Sequence, residues 1–319
     1  MADAGPEGSG ASWERQAIEK LARAALDEQR KSRNWGIFFK TLTFVYLFVL
    51  LFAAFGWLGG RDAKLPGDHT ALVELSGVIA ADTRANADTI NLGLNNAFEN
   101  SGTRGVILRI NSPGGSPVQA ATINDEIHRL RAKYPQIPIY AVIEDICASG
   151  GYYVAVAADQ IYVDKSSIVG SIGVLMNGFG FTGTMEKLGV ERRLLTAGEN
   201  KGFLDPFSPL DPAQKEYAKT MLGEIHQQFV DVVRKGRGKR LKESAETFSG
   251  LVWTGQRSID LGLTDALGSV DYVAREVVKA EKIVDFTPRE NLVERFANRF
   301  GAALGDALVR AAASGSAVR

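Results

Sequence analysis

The segment Pro138-Ile-Tyr-Ala-Val-Ile-Glu-Asp-Ile-Cys-Ala-Ser-Gly-Gly-Tyr-Tyr153 decides the fold of this chain. It opens with a continuous apolar run, which is typical of a strand buried on both faces of a parallel sheet. A turn of small residues follows, and an apolar helical pattern begins after Gly150 and Gly151. Ser149 therefore lies where a strand passes into a helix, at the carboxyl edge of a sheet, where α/β folds bind ligands.

The same alternation of strands and helices continues on both sides of this segment. Strands are predicted at 71–75, 105–110, 138–143, 160–163, 171–175 and 191–196. Helices are predicted at 87–100, 118–134, 184–188, 211–235, 255–261 and 269–279, and a further helix follows the Ser149 turn and ends at residue 158. Such an order predicts an α/β domain with a parallel sheet covered by helices on both faces. We place this domain at residues 71–281.

Composition narrows the classes of function. The 319 residues carry 37 basic and 37 acidic side chains, so no net charge points to a nucleic-acid partner. The chain has one cysteine, Cys147, which excludes an intrachain disulfide. The domain must therefore be stabilised by its hydrophobic core.

An apolar segment near the N-terminus predicts a membrane anchor at residues 35–59. Thr41 to Leu58 contains no charged residue, and Trp35 and Trp57 stand near the two ends, as interfacial aromatics do. Basic residues are concentrated in residues 1–34, which places that segment in the cytoplasm and the α/β domain in a bacterial periplasm. Within residues 1–34 the favoured prediction is a solvated charged helix with a weak apolar face, and an amphipathic helix is the alternative; residues 60–70 form a linker.

Two other interpretations of this segment are a buried helix of a soluble domain and a cleaved signal peptide. A signal peptide has a short charged region and a small-residue cleavage site after its apolar core. Here the charged region covers residues 1–34 and no clear cleavage site follows. An uncleaved signal anchor in the inner membrane is the favoured interpretation.

A serine nucleophile needs a base, which is usually histidine. His69 falls in the predicted linker, while His128 and His226 fall in helices with polar patterns, and the G-x-S-x-G turn is absent. A desolvated lysine can serve instead, because its neutral amine accepts a proton. Lys201 follows a predicted strand and is the best candidate, although a solvated loop lysine is the plainer interpretation.

The loop Asn111-Ser-Pro-Gly-Gly-Ser116 also joins a strand to a helix. Its paired glycines, Gly114 and Gly115, let main-chain N–H groups approach a ligand, and with Gly150 they can form an oxyanion hole. A plain turn is the alternative. Phosphate binding is less well supported, because neither nucleotide-binding glycine motif is present.

Several motifs occur along the chain in an order that is typical of one protein family. They lie at residues 109–116, 147–153, 166–174, 197–202 and 253–256 with 261–268. Together they resemble the short, single-copy form of the signal peptide peptidase A family, peptidase family S49. Its members are membrane-anchored serine proteases of the ClpP/crotonase-like fold. The resemblance covers about Leu72 to Lys279.

The resemblance implies a role for each matching residue. Ser149 corresponds to the nucleophile, Lys201 to the general base, and Ser171 to the serine that orients the lysine amine. Gly150 and a glycine of the 113–115 turn correspond to the oxyanion-hole donors. No metal or other cofactor is implied.

The resemblance also implies an assembly and a class of substrate. Short members form ring-shaped homo-oligomers, here expected to be an octamer, in which neighbouring chains supply serine and lysine to each site. Cleaved signal peptides and other unfolded peptides are the expected substrates. The open alternatives are a crotonase-like acyl-CoA enzyme and a catalytically silent membrane scaffold.

Residues 282–319 form a predicted amphipathic tail outside these motifs. Its large apolar residues recur at four-residue steps, namely Leu292, Phe296, Phe300, Leu304 and Leu308. This spacing predicts an apolar stripe on one side of a helix. A neighbouring subunit and a membrane surface are both possible partners.

Overall fold

The computed structural model describes residues 10–59 and 67–288, with side chains for 18–51 and 67–288. The chain divides into two compact units at Leu65 and Pro66. The first unit is one helix, α1 (Gly10–Gly59). The predicted cytoplasmic helix and the predicted anchor are thus continuous. By length and composition, Ile18–Leu51 contains a stretch that can cross a membrane.

The second unit is an α/β domain, so the predicted class is confirmed. Its helices are α2 (Ala87–Glu99), α3 (Pro117–Lys133), α4 (Gly150–Ala155), α5 (Thr182–Lys187), α6 (Pro212–Arg237), α7 (Gly255–Asp260) and α8 (Val270–Tyr272), which continues as a π-helical turn, Val273–Val278. Its strands are β1 (His69–Ser76), β2 (Thr103–Ser112), β3 (Ile139–Ala148), β4 (Gln160–Val163), β5 (Ile168–Gly170), β6 (Val252–Thr254), β7 (Ala266–Leu267) and β8 (Ile283–Asp285).

The sheet has the order β6-β5-β3-β2-β1-β8, with β4 between β3 and β7, and only the β5–β6 pair is antiparallel. The first half of β3 pairs with β4 and its last residues pair with β5. Apolar residues of β1, β2 and β3 pack against α2, α3, α4 and α6 to form the main core. A smaller core on the other face includes Ile107, Val142 and Val273.

The register between β2 and β3 shifts close to the carboxyl edge. Ile110 pairs with Ile143, but Ser112 pairs with Cys147, so β3 has extra residues there. This shift brings the loop after Ser112 beside the turn that carries Ser149. The irregularity thereby places the two predicted site loops together.

Two predicted strands are wrong. The segment 171–175 is not a strand, because β5 ends at Gly170 and the chain turns at Ser171, which has a φ of 53°. Residues 191–196 are exposed and form no strand. A strand requires a neighbour to accept its hydrogen bonds, and none of the described residues pairs with this segment.

The domain also extends beyond its predicted end at residue 281. β8 lies in the predicted tail and pairs in parallel with β1. A strand of three residues is too short to give a clear sequence pattern. The apolar stripe at 292–308 lies outside the described residues.

A buried ion pair fastens α6 to the sheet. Arg237 is 1% exposed and donates to both carboxylate oxygens of Asp265 at 2.9 and 2.8 Å. Burial alone would raise the pKa of Asp265, but the bonds from Arg237 outweigh it and keep the pKa below its usual value. The ion pair therefore stabilises the fold at neutral pH. This stabilisation is lost as the pH falls through the pKa of the Asp265 carboxyl group.

We expect Arg237→Met to lower the free energy of unfolding by about 3 kcal/mol, because it leaves a largely buried carboxylate without its main partner. Thermal unfolding of the solubilised full chain should shift down by roughly 6–12 °C. Arg234→Met on the same helix is the control. Arg234 pairs with Glu243 in solvent, so its loss should cost about 1 kcal/mol or less. Equal losses of stability in the two variants would contradict the stabilising role given to the Arg237–Asp265 pair.

Candidate active site

Ser149 occupies a strained turn between β3 and α4. Its φ is 50° and its ψ is −122°, a conformation that non-glycine residues seldom adopt. The Ser149 N–H donates to the Gly170 carbonyl at 2.8 Å, which ties the turn to β5. Strained backbone of this kind is concentrated at functional sites. The half-buried Ser149 hydroxyl has no hydrogen-bond partner within residues 67–288.

The turn containing Gly114 and Gly115 packs directly on Ser149 and Gly150. A Cβ atom on Gly114 would lie 2.7 Å from the Ser149 Cβ and 2.6 Å from the Gly150 nitrogen. Gly114 has a φ of 97°, which favours glycine independently of space. The two loops that the sequence singled out are therefore in contact.

Ile79 and Ser112 hold this turn in place, and sequence reasoning missed both residues. The Ile79 N–H donates to the Gly114 carbonyl at 2.9 Å, and the Ser116 N–H donates to the Ile79 carbonyl at 2.8 Å. The buried Ser112 hydroxyl donates to the Gly77 carbonyl at 2.6 Å and accepts the Gly114 N–H at 3.1 Å.

These bonds distinguish between the three predicted oxyanion-hole donors. The Gly114 N–H is engaged by Ser112. Within residues 67–288, no oxygen accepts a hydrogen bond from the N–H of Gly115 or Gly150. A Cβ atom on Gly150 would lie 3.2 Å from the Gly115 nitrogen, so the two groups are neighbours. They are the pair best placed to stabilise an oxyanion.

Ser171 directly follows the neighbouring strand, β5, and lies beside Ser149. Ala148 of β3 pairs with Gly170 of β5, and each strand is followed by a serine with a positive φ. The Ser171 N–H donates to the Leu251 carbonyl at 2.7 Å. Backbone pairing thus places the predicted nucleophile and the predicted lysine-orienting serine at equivalent positions of adjacent strands.

Lys201 is not brought to Ser149 by any described contact. It belongs to an exposed segment, residues 174–211, that includes α5 and leaves the domain after β5. Phe181 stacks on Phe207 with ring centroids 5.4 Å apart, and the Phe181 N–H donates to the Pro206 carbonyl at 2.7 Å. These contacts fold the segment upon itself.

Interactions of α4 fix the far side of the Ser149 turn. The buried Tyr152 hydroxyl donates to the Leu263 carbonyl at 2.7 Å, and the Asn124 amide donates to the Tyr153 carbonyl at 2.7 Å. Cys147 is fully buried, and burial raises the pKa of its thiol well above the usual value. The thiol therefore stays protonated and does not compete with Ser149 as a nucleophile.

None of the three histidines hydrogen-bonds to Ser149 in the described part of the chain. His69 was assigned to the linker, but it begins β1 and is fully buried, with its ring stacked on Phe286. His128 is partly buried, and burial, followed by Arg131 and Lys235, lowers its pKa. Within the described residues, no group of His, Cys, Asp and Glu side chains is arranged to hold a metal ion.

Comparison with known proteins identifies the family of the chain. The model of peptidase family S49 matches residues 131–284. The chain is 31% identical to a putative protease of Synechocystis sp., over 62% of this chain and 69% of that protein. It is 31% identical to a putative signal peptide peptidase SppA of Enterococcus faecium, over 59% of this chain and 54% of that protein.

A further relative is the Na(+)/H(+) antiporter NhaA of Brucella melitensis. It is 43% identical over 204 residues, which cover 62% of this chain and 28% of that protein. This chain thus spans little more than a quarter of one such relative and about half of the Enterococcus protein. The family model and the similarity to a putative signal peptide peptidase agree with the predicted family. The chain belongs to peptidase family S49.

Proposed function

We propose that this protein is a serine endopeptidase in which Ser149 is the nucleophile and Lys201 the general base. The observation that carries the proposal is the contact between the strained Ser149 turn and the Gly114–Gly115 turn. Within residues 67–288, the N–H groups of Gly115 and Gly150 and the Ser149 hydroxyl next to them have no hydrogen-bond partner. A nucleophile next to two preorganised donors is the arrangement that acyl transfer requires.

The chemistry proceeds in two steps. The Ser149 oxygen attacks the peptide carbonyl while its proton passes to the neutral Lys201 amine, and the N–H groups of Gly115 and Gly150 stabilise the oxyanion. The ammonium then donates this proton to the leaving amine, and an acyl-enzyme forms. Water, deprotonated by the same amine, hydrolyses the ester and regenerates Ser149. Ser171 accepts a hydrogen bond from the amine and positions it.

Assembly between chains is part of this proposal. Lys201 is exposed, and its segment carries large apolar side chains in solvent, including Phe179 at 82% and Leu195 at 95% exposure. Such a surface is typical of a protein interface. A neighbouring subunit that covers the segment would remove water from the lysine and present it to Ser149. In a closed ring, such as an octamer, every subunit has a neighbour that can complete its active site.

We further propose that α1 anchors the peptidase in the bacterial inner membrane. The basic residues before the apolar stretch favour a cytoplasmic N-terminus and a periplasmic α/β domain. A peptidase tethered at that surface would meet cleaved signal peptides and other unfolded peptides, which we propose as substrates. The similarity to a putative signal peptide peptidase supports this choice.

Labelling with a serine-reactive fluorophosphonate tests the nucleophile. The solubilised full chain should gain one covalent adduct, which peptide mapping locates at Ser149, and Ser149→Ala should remove it. Ser166→Ala is the matched control, because Ser166 is an exposed serine away from α4 and should not affect labelling. A folded, assembled protein that stays unlabelled would favour a silent scaffold, and an adduct on another serine would reject Ser149.

A further inference from the structure

The sheet face opposite the main core carries an open groove of about 990 Å³. α8 and its π-helical turn cover only part of this face. Leu72 and Val142 line the groove, and three large apolar side chains stay partly exposed there, namely Ile168, Leu267 and Tyr272, at 44%, 45% and 42%. An apolar groove of this size is suited to the apolar side of another segment.

The rim of the groove is acidic. Four carboxylates line it: Glu144, Asp145, Asp164 and Asp271. The one basic side chain in the lining, Arg109, pairs with Glu74 at 2.7 Å and with Glu144 of the rim at 3.6 Å, which leaves Asp145, Asp164 and Asp271 without an ion pair among the described residues. An occupant must therefore combine an apolar face with positive charge.

The chain itself supplies such a segment directly after the described domain. Residues 289–319 contain five arginines and three carboxylates. The large apolar residues between Leu292 and Leu308 recur every four positions, which places them on one side of a helix. Arg295 and Arg299 immediately precede Phe296 and Phe300, so both arginines flank that apolar side.

Chain connectivity permits this segment to occupy the groove. Ile283 of β8 lines the groove, and the domain's described residues end five positions later at Pro288, which packs beside Gly93 of α2 on the main-core face. Neighbouring strands are about 4.8 Å apart, so the groove beside β3 and β4 lies roughly 14–19 Å from β8. Because β8 is the edge strand, the residues after Pro288 can pass around it to the groove face: the four residues up to Leu292 span at most about 13 Å, and a helix over 292–308 would add about 25 Å.

We propose that residues 292–308 dock as an amphipathic helix in the acidic groove of their own domain. The apolar stripe packs on Leu72, Val142 and Ile168, while Arg295 and Arg299 face the carboxylates of the rim. This interaction goes beyond the peptidase activity and uses none of the residues assigned to catalysis. It covers a sheet face that would otherwise expose apolar side chains.

Disulfide trapping in the solubilised full chain tests the docking. Ser166→Cys in the groove is combined with Phe296→Cys on the apolar stripe, and the natural Cys147 is buried and will not interfere. We expect an intrachain disulfide, detected by peptide mapping. Ser166→Cys with Asn298→Cys, on the opposite side of the helix, should cross-link at least about fivefold less. Equal yields, no cross-link, or cross-links only between chains would overturn the proposal.

Hydrogen exchange supplies a second measurement. Residues 292–308 should be protected in the parent chain, and Asp164→Lys/Asp271→Lys should reduce that protection about tenfold by introducing repulsion. Adding Arg295→Glu/Arg299→Glu should restore it. Protection that is absent in detergent and arises only on anionic lipid vesicles would assign the segment to the membrane and overturn the proposal. Failure of either test leaves the Ser149 assignment untouched.

Discussion

Replacing Lys201 by methionine is expected to lower kcat/KM for peptide cleavage by about 10³-fold or more, because the Ser149 proton then has no acceptor. Methionine keeps much of the length of the side chain and has no amine. Cleavage of a fluorogenic peptide by the solubilised protein measures the effect. Lys187→Met is the matched control, since Lys187 is exposed on the same segment and should keep nearly full activity.

A mixing experiment extends this prediction to the assembly. If each site takes its serine and lysine from different chains, co-assembled Ser149→Ala and Lys201→Met subunits will contain some complete sites. Random mixing should then restore about a quarter of the parental activity, because half of the subunits supply each intact residue. Sites formed within one chain would recover none. Full activity of Lys201→Met alone would reject the lysine as base.

The sequence predicted the parts of the site that depend on local pattern. The apolar run of β3 and the small-residue turn after it identified Ser149, and the strand before Asn111 identified the glycine turn. Both turns follow parallel strands, so their meeting at one edge of the sheet could be anticipated. That they touch at Gly114 follows from a register shift between β2 and β3, which no local pattern encodes.

The sequence did not predict the residues that act through long-range contacts. Ser112 engages the Gly114 N–H, and Ile79 pairs with the glycine turn from a loop more than thirty positions earlier. The predicted strands at 171–175 and 191–196 failed for a related reason. Their composition suits strands, but the described residues offer them no pairing neighbour. Exposed apolar side chains in this segment are instead consistent with the proposed contact between subunits.

Gly114→Ala is expected to lower kcat by about 10²–10³-fold, the usual consequence of disturbing an oxyanion hole. The added methyl group would lie 2.6 Å from the Gly150 nitrogen and 2.7 Å from the Ser149 Cβ, so it must displace the nucleophile or a donor. The φ of 97° at Gly114 also makes alanine unfavourable there, which lowers the free energy of unfolding by about 1 kcal/mol. Activity and thermal unfolding must therefore be measured together.

Gly77→Ala separates the steric effect from the backbone strain. Gly77 has a similar φ of 89°, but a Cβ atom there meets nothing within 4 Å. Gly77→Ala should lose roughly 2–4 °C in Tm from the backbone strain alone, and Gly114→Ala should lose more, because its methyl group must also displace neighbouring atoms. Only Gly114→Ala should lose its activity, because only its methyl group enters the contact between the two turns. If Gly77→Ala were equally inactive, strain transmitted through the backbone would explain the loss, and the glycine turn would have no direct part in the site.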